Sequence, residues 1–177
     1  MRHLALGAGA LAALAGCAAQ VAPLQQYSAA PSVAADIRDR AGNPKAVARA
    51  TQVGDGIRLQ VTASNMPTGT YGAHVHTTGR CDAPTFDTAG AHWNPTNHRH
   101  GKNNPAGMHK GDLPNLVIGA DGRGSMEVTL PNASLTGAIN RLMDLDGAAL
   151  VVHASADDYR TDPSGNSGGR IACGVFR

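Results

Sequence analysis

Aromatic residues make up only 3% of this 177-residue chain and charged residues only 16%. Recognition of nucleic acid calls for a basic stripe with interleaved aromatics, whereas here the formal net charge is +2 and no block of like charge occurs. No nucleic-acid partner is expected, and the charges read as a scattered, solvated surface. The apolar run from Leu4 to Ala15 is too short to cross a bilayer as a stable helix. The three cysteines are an odd number, so they cannot all pair within the chain. A chain of this length has room for one domain and none for a second catalytic one.

Turn-forming residues are plentiful instead. The 22 glycines and 10 prolines favour many turns over long helices, and hence an all-β class. Ile57 to Ala63 and Met126 to Leu130 alternate apolar with polar side chains, as half-buried antiparallel strands do. Gly54-Asp55-Gly56 and Asp121-Gly122 stand between such runs as hairpin turns. Eight strands are expected, near 33–39, 45–53, 57–63, 70–77, 115–119, 124–130, 149–154 and 170–176, with one or two helical turns in Leu135 to Met143. The pattern points to an eight-stranded antiparallel Greek-key sandwich or flattened barrel. Two long connections, Thr78 to Leu113 and Ala154 to Gly169, are too long for hairpins and read as functional.

Histidine carries the chemistry. His74 and His76 lie two apart in an expected strand and so face the same side, able to present two imidazoles to one ion. His92, His100, His109 and Asp112 are spaced for no single strand or helix, so a glycine-rich loop must wrap them around a second centre. His153 lies far downstream, after Leu150-Val151-Val152, while His3 and His98 read as surface residues. An all-imidazole site suits a redox-active copper; three imidazoles with one carboxylate make a closed tetrahedral shell for zinc, leaving no open position for hydrolysis.

The segments Gly72-Ala73-His74-Val75-His76, Gly90-Ala91-His92-Trp93-Asn94-Pro95, His109-Lys110-Gly111-Asp112-Leu113, Val151-Val152-His153 and Gly169-Arg170-Ile171-Ala172-Cys173-Gly174 together resemble the copper/zinc superoxide dismutases, from about Val33 to the C-terminus. The resemblance implies dismutation of superoxide to dioxygen and hydrogen peroxide, with one copper and one zinc per subunit. It places copper on His74, His76, His92 and His153 and zinc on His92, His100, His109 and Asp112, so that His92 bridges the two ions as an imidazolate and relays a proton. It further implies that Asp157 orients His74 and His100, that Cys81 and Cys173 form a disulfide, and that Arg170 guides the anion to copper. The loop from Tyr159 to Gly169 is shorter than in eukaryotic members, a shortening that resembles bacterial ones, and it offers only Arg160 as a cation. Monomer and homodimer are both compatible with this reading. A non-catalytic copper-binding or copper-delivery protein is the competing one.

Residues 1–16 read as a secretory signal, with Arg2 as its positive end. Leu14-Ala15-Gly16-Cys17 resembles a bacterial lipobox, which implies a lipid on Cys17 and association with a membrane; Ala18 after it resembles lipoproteins sorted to an outer membrane. Residues 17–32, rich in Ala, Gln, Ser and Pro, read as a tether to a domain spanning 33–177 that faces the periplasm.

Overall fold

The computed structural model describes residues 29–177, which form nine strands: β1 (Ser32–Asp39), β2 (Pro44–Val53), β3 (Gly56–Ala63), β4 (Gly69–Tyr71), β5 (Ala73–His76), β6 (Leu116–Ile118), β7 (Gly124–Leu130), β8 (Ala149–His153) and β9 (Arg170–Val175). The segments read as signal, Cys17 and most of the tether lie outside the described residues. The strands pair antiparallel in a seven-stranded sheet ordered β5-β8-β9-β1-β2-β3-β7 and a two-stranded sheet of β4 and β6. Chain continuity joins β4 to β5, and a turn at 119–123 joins β6 to β7, so the small sheet connects the two edge strands of the large one. This is the antiparallel, all-β flattened barrel anticipated from the sequence.

The two-residue repeat of a strand decides what goes inside. In β3, Ile57, Leu59, Val61 and Ala63 are buried while Arg58, Gln60 and Thr62 face solvent. β8 is buried on both faces: Leu150 and Val152 enter the main core with Ile37, Leu59 and Phe176, whereas Ala149 and Val151 enter a smaller core with Phe86, Ala89 and Cys173. That second core explains why β8 reads as a continuous apolar run.

Two local expectations are corrected, and one strand start is placed. The strand expected at 70–77 is two strands, because the chain changes partner at Gly72, from β6 before it to β8 after it. The Gly72 N–H donates to Ser155 at 2.8 Å and its carbonyl accepts from His153 at 2.8 Å; a Cβ there would stand 2.8 Å from that of Ser167. Leu135 to Met143 is not helical. Leu142 and Met143 N–H donate to Ser134 and Leu135 carbonyls, each at 2.8 Å, and Gln52 Oε1 accepts from the Leu135 N–H at 2.9 Å, so long-range partners replace the bonds a helix would need. β1 begins at Ser32, just inside the stretch read as tether, where the Pro31 carbonyl accepts from Gln52 N–H at 2.9 Å.

A disulfide joins Cys81 and Cys173, 92 residues apart with Cα atoms 5.7 Å apart, fastening the first long loop to β9. Closing a loop of that length stabilises the fold by roughly 4 to 5 kcal/mol in the chain-entropy account. The double variant Cys81→Ser, Cys173→Ser is expected to lose that amount in denaturant unfolding. An unchanged midpoint would mean that the loop is held without the bond.

Candidate metal centre

The first long loop reaches the site by docking on β5. Trp93 N–H donates to the Val75 carbonyl at 2.8 Å, Val75 N–H to Gly111 at 2.9 Å, and Gly111 N–H to Trp93 at 2.8 Å. Isolated bridges pair His76 with His92 and His74 with Asp112. Sequence-distant ligand-type residues are thus set beside His74 and His76 by backbone bonds.

His74, His76, His92 and His153 form one cluster, all buried, with one ring nitrogen from each within 4.8 Å of the others. The partners of the opposite nitrogens select the tautomers. His76 Nδ1–H donates to the Gly90 carbonyl at 2.9 Å, His153 Nδ1–H to Gly168 at 3.1 Å, and His74 Nε2–H to Asp157 Oδ2 at 2.8 Å. This leaves His74 Nδ1, His76 Nε2, His92 Nε2 and His153 Nε2 buried without a protein partner. A buried polar atom normally finds a hydrogen bond, so four converging lone pairs fit one metal ion. His74 and His76 do share the cluster, though through different ring nitrogens.

The second cluster gathers on one carboxylate oxygen. Asp112 Oδ1 lies 2.9 Å from His92 Nδ1, 3.0 Å from His100 Nδ1 and 3.2 Å from His109 Nδ1, and the Nδ1 atoms of His92 and His109 are 3.4 Å apart. A tetrahedral zinc with bonds near 2.0–2.1 Å has donor–donor edges of about 3.3 Å, so this set fits. Asp112 Oδ2 is occupied by the N–H groups of Gly101 at 2.8 Å and His109 at 3.0 Å. By distance alone His74 also groups with His92, His100 and Asp112. Its bond to Asp157 and its free Nδ1 assign it to the first cluster. His92 turns one ring nitrogen toward each cluster.

Asp157 Oδ1 accepts from His100 Nε2 at 3.0 Å, so this carboxylate touches one histidine of each cluster. Gly165 has φ +63°, and a Cβ there would overlap the Asp157 carboxylate, so only glycine lets the second loop close over it. Several supports had no signature in the sequence. Asn115 clamps the Asp157 backbone, accepting from its N–H at 2.8 Å and donating to its carbonyl at 2.9 Å. The Phe86 and Gly90 carbonyls accept from Arg170 at 2.8 and 2.7 Å. Arg170 lines a cleft of about 840 Å³ together with His76, His92 and His153. A separate cavity of about 450 Å³ borders His109 and Asp112, and His98, outside both clusters, sits on its wall.

Burial, and then the neighbouring His92, pushes His76 down to about 2; burial and then His74 push His153 down to about 3. Burial also outweighs the Asp112 bond at His92, lowering it to about 4. His100 differs: burial opposes its charge, but Asp112 and Asp157 overcome that and raise it to about 9. For both carboxylates burial is outweighed by histidine hydrogen bonds, which hold them well below the usual range. Burial lowers Arg170 as well.

A model of the copper/zinc superoxide dismutase family (SODC) matches residues 45–176. Superoxide dismutase-like protein YojM of Bacillus subtilis (strain 168) is 45% identical over 124 residues, a match covering 69% of this chain and 63% of that protein, just under two thirds of its length. Superoxide dismutase (Cu-Zn) 1 of Aquifex aeolicus (strain VF5) is 42% identical over 147 residues, covering 81% of this chain and 86% of that one. Among solved structures, a SOD-like protein from Bacillus subtilis superposes with a TM-score of 0.75 at 39% identity, covering 80% of this chain and 96% of the other.

The histidine shifts set a pH dependence for the metal-free protein. His76, His92 and His153 fall below their ordinary 6.5, so the unfolded chain binds more protons below that pH and stability drops with it. His100, raised above 6.5, acts in the opposite sense, its contribution growing as pH falls from 7 to 5. Each depressed histidine contributes a loss of about 2 kcal/mol over that interval and His100 a gain of about 1, for an expected net loss of about 5 kcal/mol. Urea unfolding of the chelator-treated protein at pH 7 and pH 5 measures it. Equal stability at the two values would show that these histidines are not held neutral.

Proposed function

The chain belongs to the copper/zinc superoxide dismutase family, oxidoreductases that take superoxide, copper and zinc, and on that premise we propose how its residues divide the work. His74, His76, His92 and His153 hold copper; His92, His100, His109 and Asp112 hold zinc. Copper in such a site supplies the one-electron chemistry that turns superoxide into dioxygen and hydrogen peroxide, and zinc supplies charge inside a closed shell. The observation that carries the proposal is the four buried, unpartnered nitrogens beside a carboxylate-centred set, with His92 facing both.

With a dication in each cluster His92 would be held as an imidazolate, because two dications would stabilise the loss of its second proton. Its Nε2 is therefore the atom able to take up a proton and pass it toward the product. Asp157 keeps the His74 and His100 rings in the orientation that exposes Nδ1 of each. Arg170, fixed by two carbonyls at the cleft, attracts and seats the anion. The name of the Bacillus subtilis relative, superoxide dismutase-like, prompts the second reading of a copper-binding protein without turnover. Retention of Arg170 and of both full ligand sets supports the catalyst.

Metal analysis combined with direct measurement of superoxide decay decides between them. One copper, one zinc and rapid decay are expected; copper uptake without decay would make the protein a carrier. At about 5 Å and an effective dielectric of roughly 20, one charge attracts an anion by about 3 kcal/mol, before screening reduces it. Arg170→Ala is accordingly expected to slow decay at least about tenfold at equal copper content. A rate within about twofold would remove the guiding role.

The reading extends to location: residues 1–16 direct export, Cys17 carries a lipid, and the domain protects the envelope from the periplasmic side. The support is the lipobox-like Leu14-Ala15-Gly16-Cys17. Cys17→Ser is expected to move the protein from the membrane fraction to the soluble fraction or to leave its signal uncleaved, since the lipid supplies the affinity. Unchanged membrane association, with no acyl mass on the wild type, would refute the anchor.

A further inference from the structure

The cleft above the first cluster carries few charges on its walls. Besides the histidines, its ionisable lining consists of Arg40, Asp87 and Arg170. The second long loop contributes Pro163, Ser164, Gly168 and Gly169, all uncharged, and Arg160, the one cation between Tyr159 and Gly169, is not on that wall. If the anion is drawn in from a distance, the attraction has to come from elsewhere.

Arg40 stands exposed on the turn between β1 and β2, in neither long loop, and lines the cleft beside residues of both. The turn is fixed by its own residues. Asp39 Oδ1 accepts from the N–H groups of Ala41 and Asn43, each at 2.9 Å, Asn43 Nδ2 donates to Asp39 Oδ2 at 3.1 Å, and Arg38 Nη1 donates to the Gly42 carbonyl at 3.0 Å. A turn held by these bonds carries Arg40, which is exposed and lines the cleft, while Arg170, half-buried, is tethered by the Phe86 and Gly90 carbonyls.

We propose that Arg40 is the outer guide for the anion: it raises the local concentration of superoxide at the mouth, and Arg170 receives it inside. The proposal rests on the superoxide reading of the site. Arg40 is placed to do at long range what the uncharged loop wall does not. Rim charges act chiefly on encounter rate and its salt dependence, whereas a seated charge acts on the bound anion. Asp87, on the same wall, opposes Arg40, so the two form a matched pair for testing.

The test uses the copper- and zinc-loaded protein with Arg40→Gln, Arg40→Glu and Asp87→Asn. Two readouts are taken: the second-order rate of superoxide loss against ionic strength, and the Kd of azide at copper followed by absorption. At low salt Arg40→Gln is expected to slow the reaction about two- to fourfold and Arg40→Glu further, while Asp87→Asn speeds it about twofold; these differences should shrink as the screening length falls below about 8 Å. Azide Kd should move in the same order, with the azide-free spectrum unchanged. A low-salt rate and an azide Kd for Arg40→Gln both equal to wild type would overturn the proposal, as would a salt slope unaltered by the substitution. A wild type that binds copper but does not dismute superoxide would defeat the functional reading instead, and the azide series would still decide whether Arg40 draws anions to the cleft.

Discussion

Two buried carboxylates, Asp112 and Asp157, impose the condition that the rest of the site satisfies. A carboxylate out of water is tolerated only when hydrogen bonds surround it. Asp112 collects three histidine rings and two backbone N–H groups; Asp157 collects two rings and the Tyr159 N–H at 2.6 Å. His100 lies between them and bonds to both. Because these partners come from β5, the first long loop and the second long loop, satisfying two charges fixes three segments at once. Neither loop has regular structure beyond a 3₁₀ turn at Asp87–Ala89, so this polar network, the docking of residues 93 and 111 on β5 and the disulfide give them their shape.

The same network prepares the donors. A neutral imidazole has one lone pair, and its direction follows from where the proton is held. The Gly90 and Gly168 carbonyls hold the protons of His76 and His153 on Nδ1, and Asp157 holds that of His74 on Nε2, so the free lone pairs point inward together. Leaving buried nitrogens unpartnered costs about 1 to 3 kcal/mol each in a protein interior. A fold that keeps four of them in one place is arranged for a ligand that takes lone pairs.

The strand pattern was legible wherever burial was one-sided. β3 alternates and was readable residue by residue, and β8 was readable as an apolar run although nothing local shows that its two faces meet different cores. The break at Gly72 was not, because the bond that interrupts the strand comes from Ser155, far along the chain. Leu135 to Met143 misled for a related reason: its helix-compatible residues are captured by Gln52 and by bonds spanning eight residues. Within the site, the ligand-type side chains could be named from their motifs. Their supports could not, since the Phe86, Gly90 and Gly168 carbonyls and the Asn115 clamp act through backbone positions that only the folded chain brings together.

Proximity to a carboxylate also separates the two clusters electrically. His76 and His153 meet only carbonyls, and burial keeps them neutral well below physiological pH. His100 meets two carboxylates and is driven the other way. A dication in the second cluster thus has its charge partly balanced by Asp112, whereas one in the first cluster has four imidazoles and no carboxylate among its donors. With dications in both clusters that imbalance would leave net positive charge at the cleft floor even after the His92 imidazolate is counted, and Arg170 would add to it from the wall. A carboxylate donor in the first cluster would bind a cation at least as tightly and would repel superoxide. Its absence there, in a chain that uses one a few ångströms away, is what makes the open cluster suited to an anion and the closed one suited to structure.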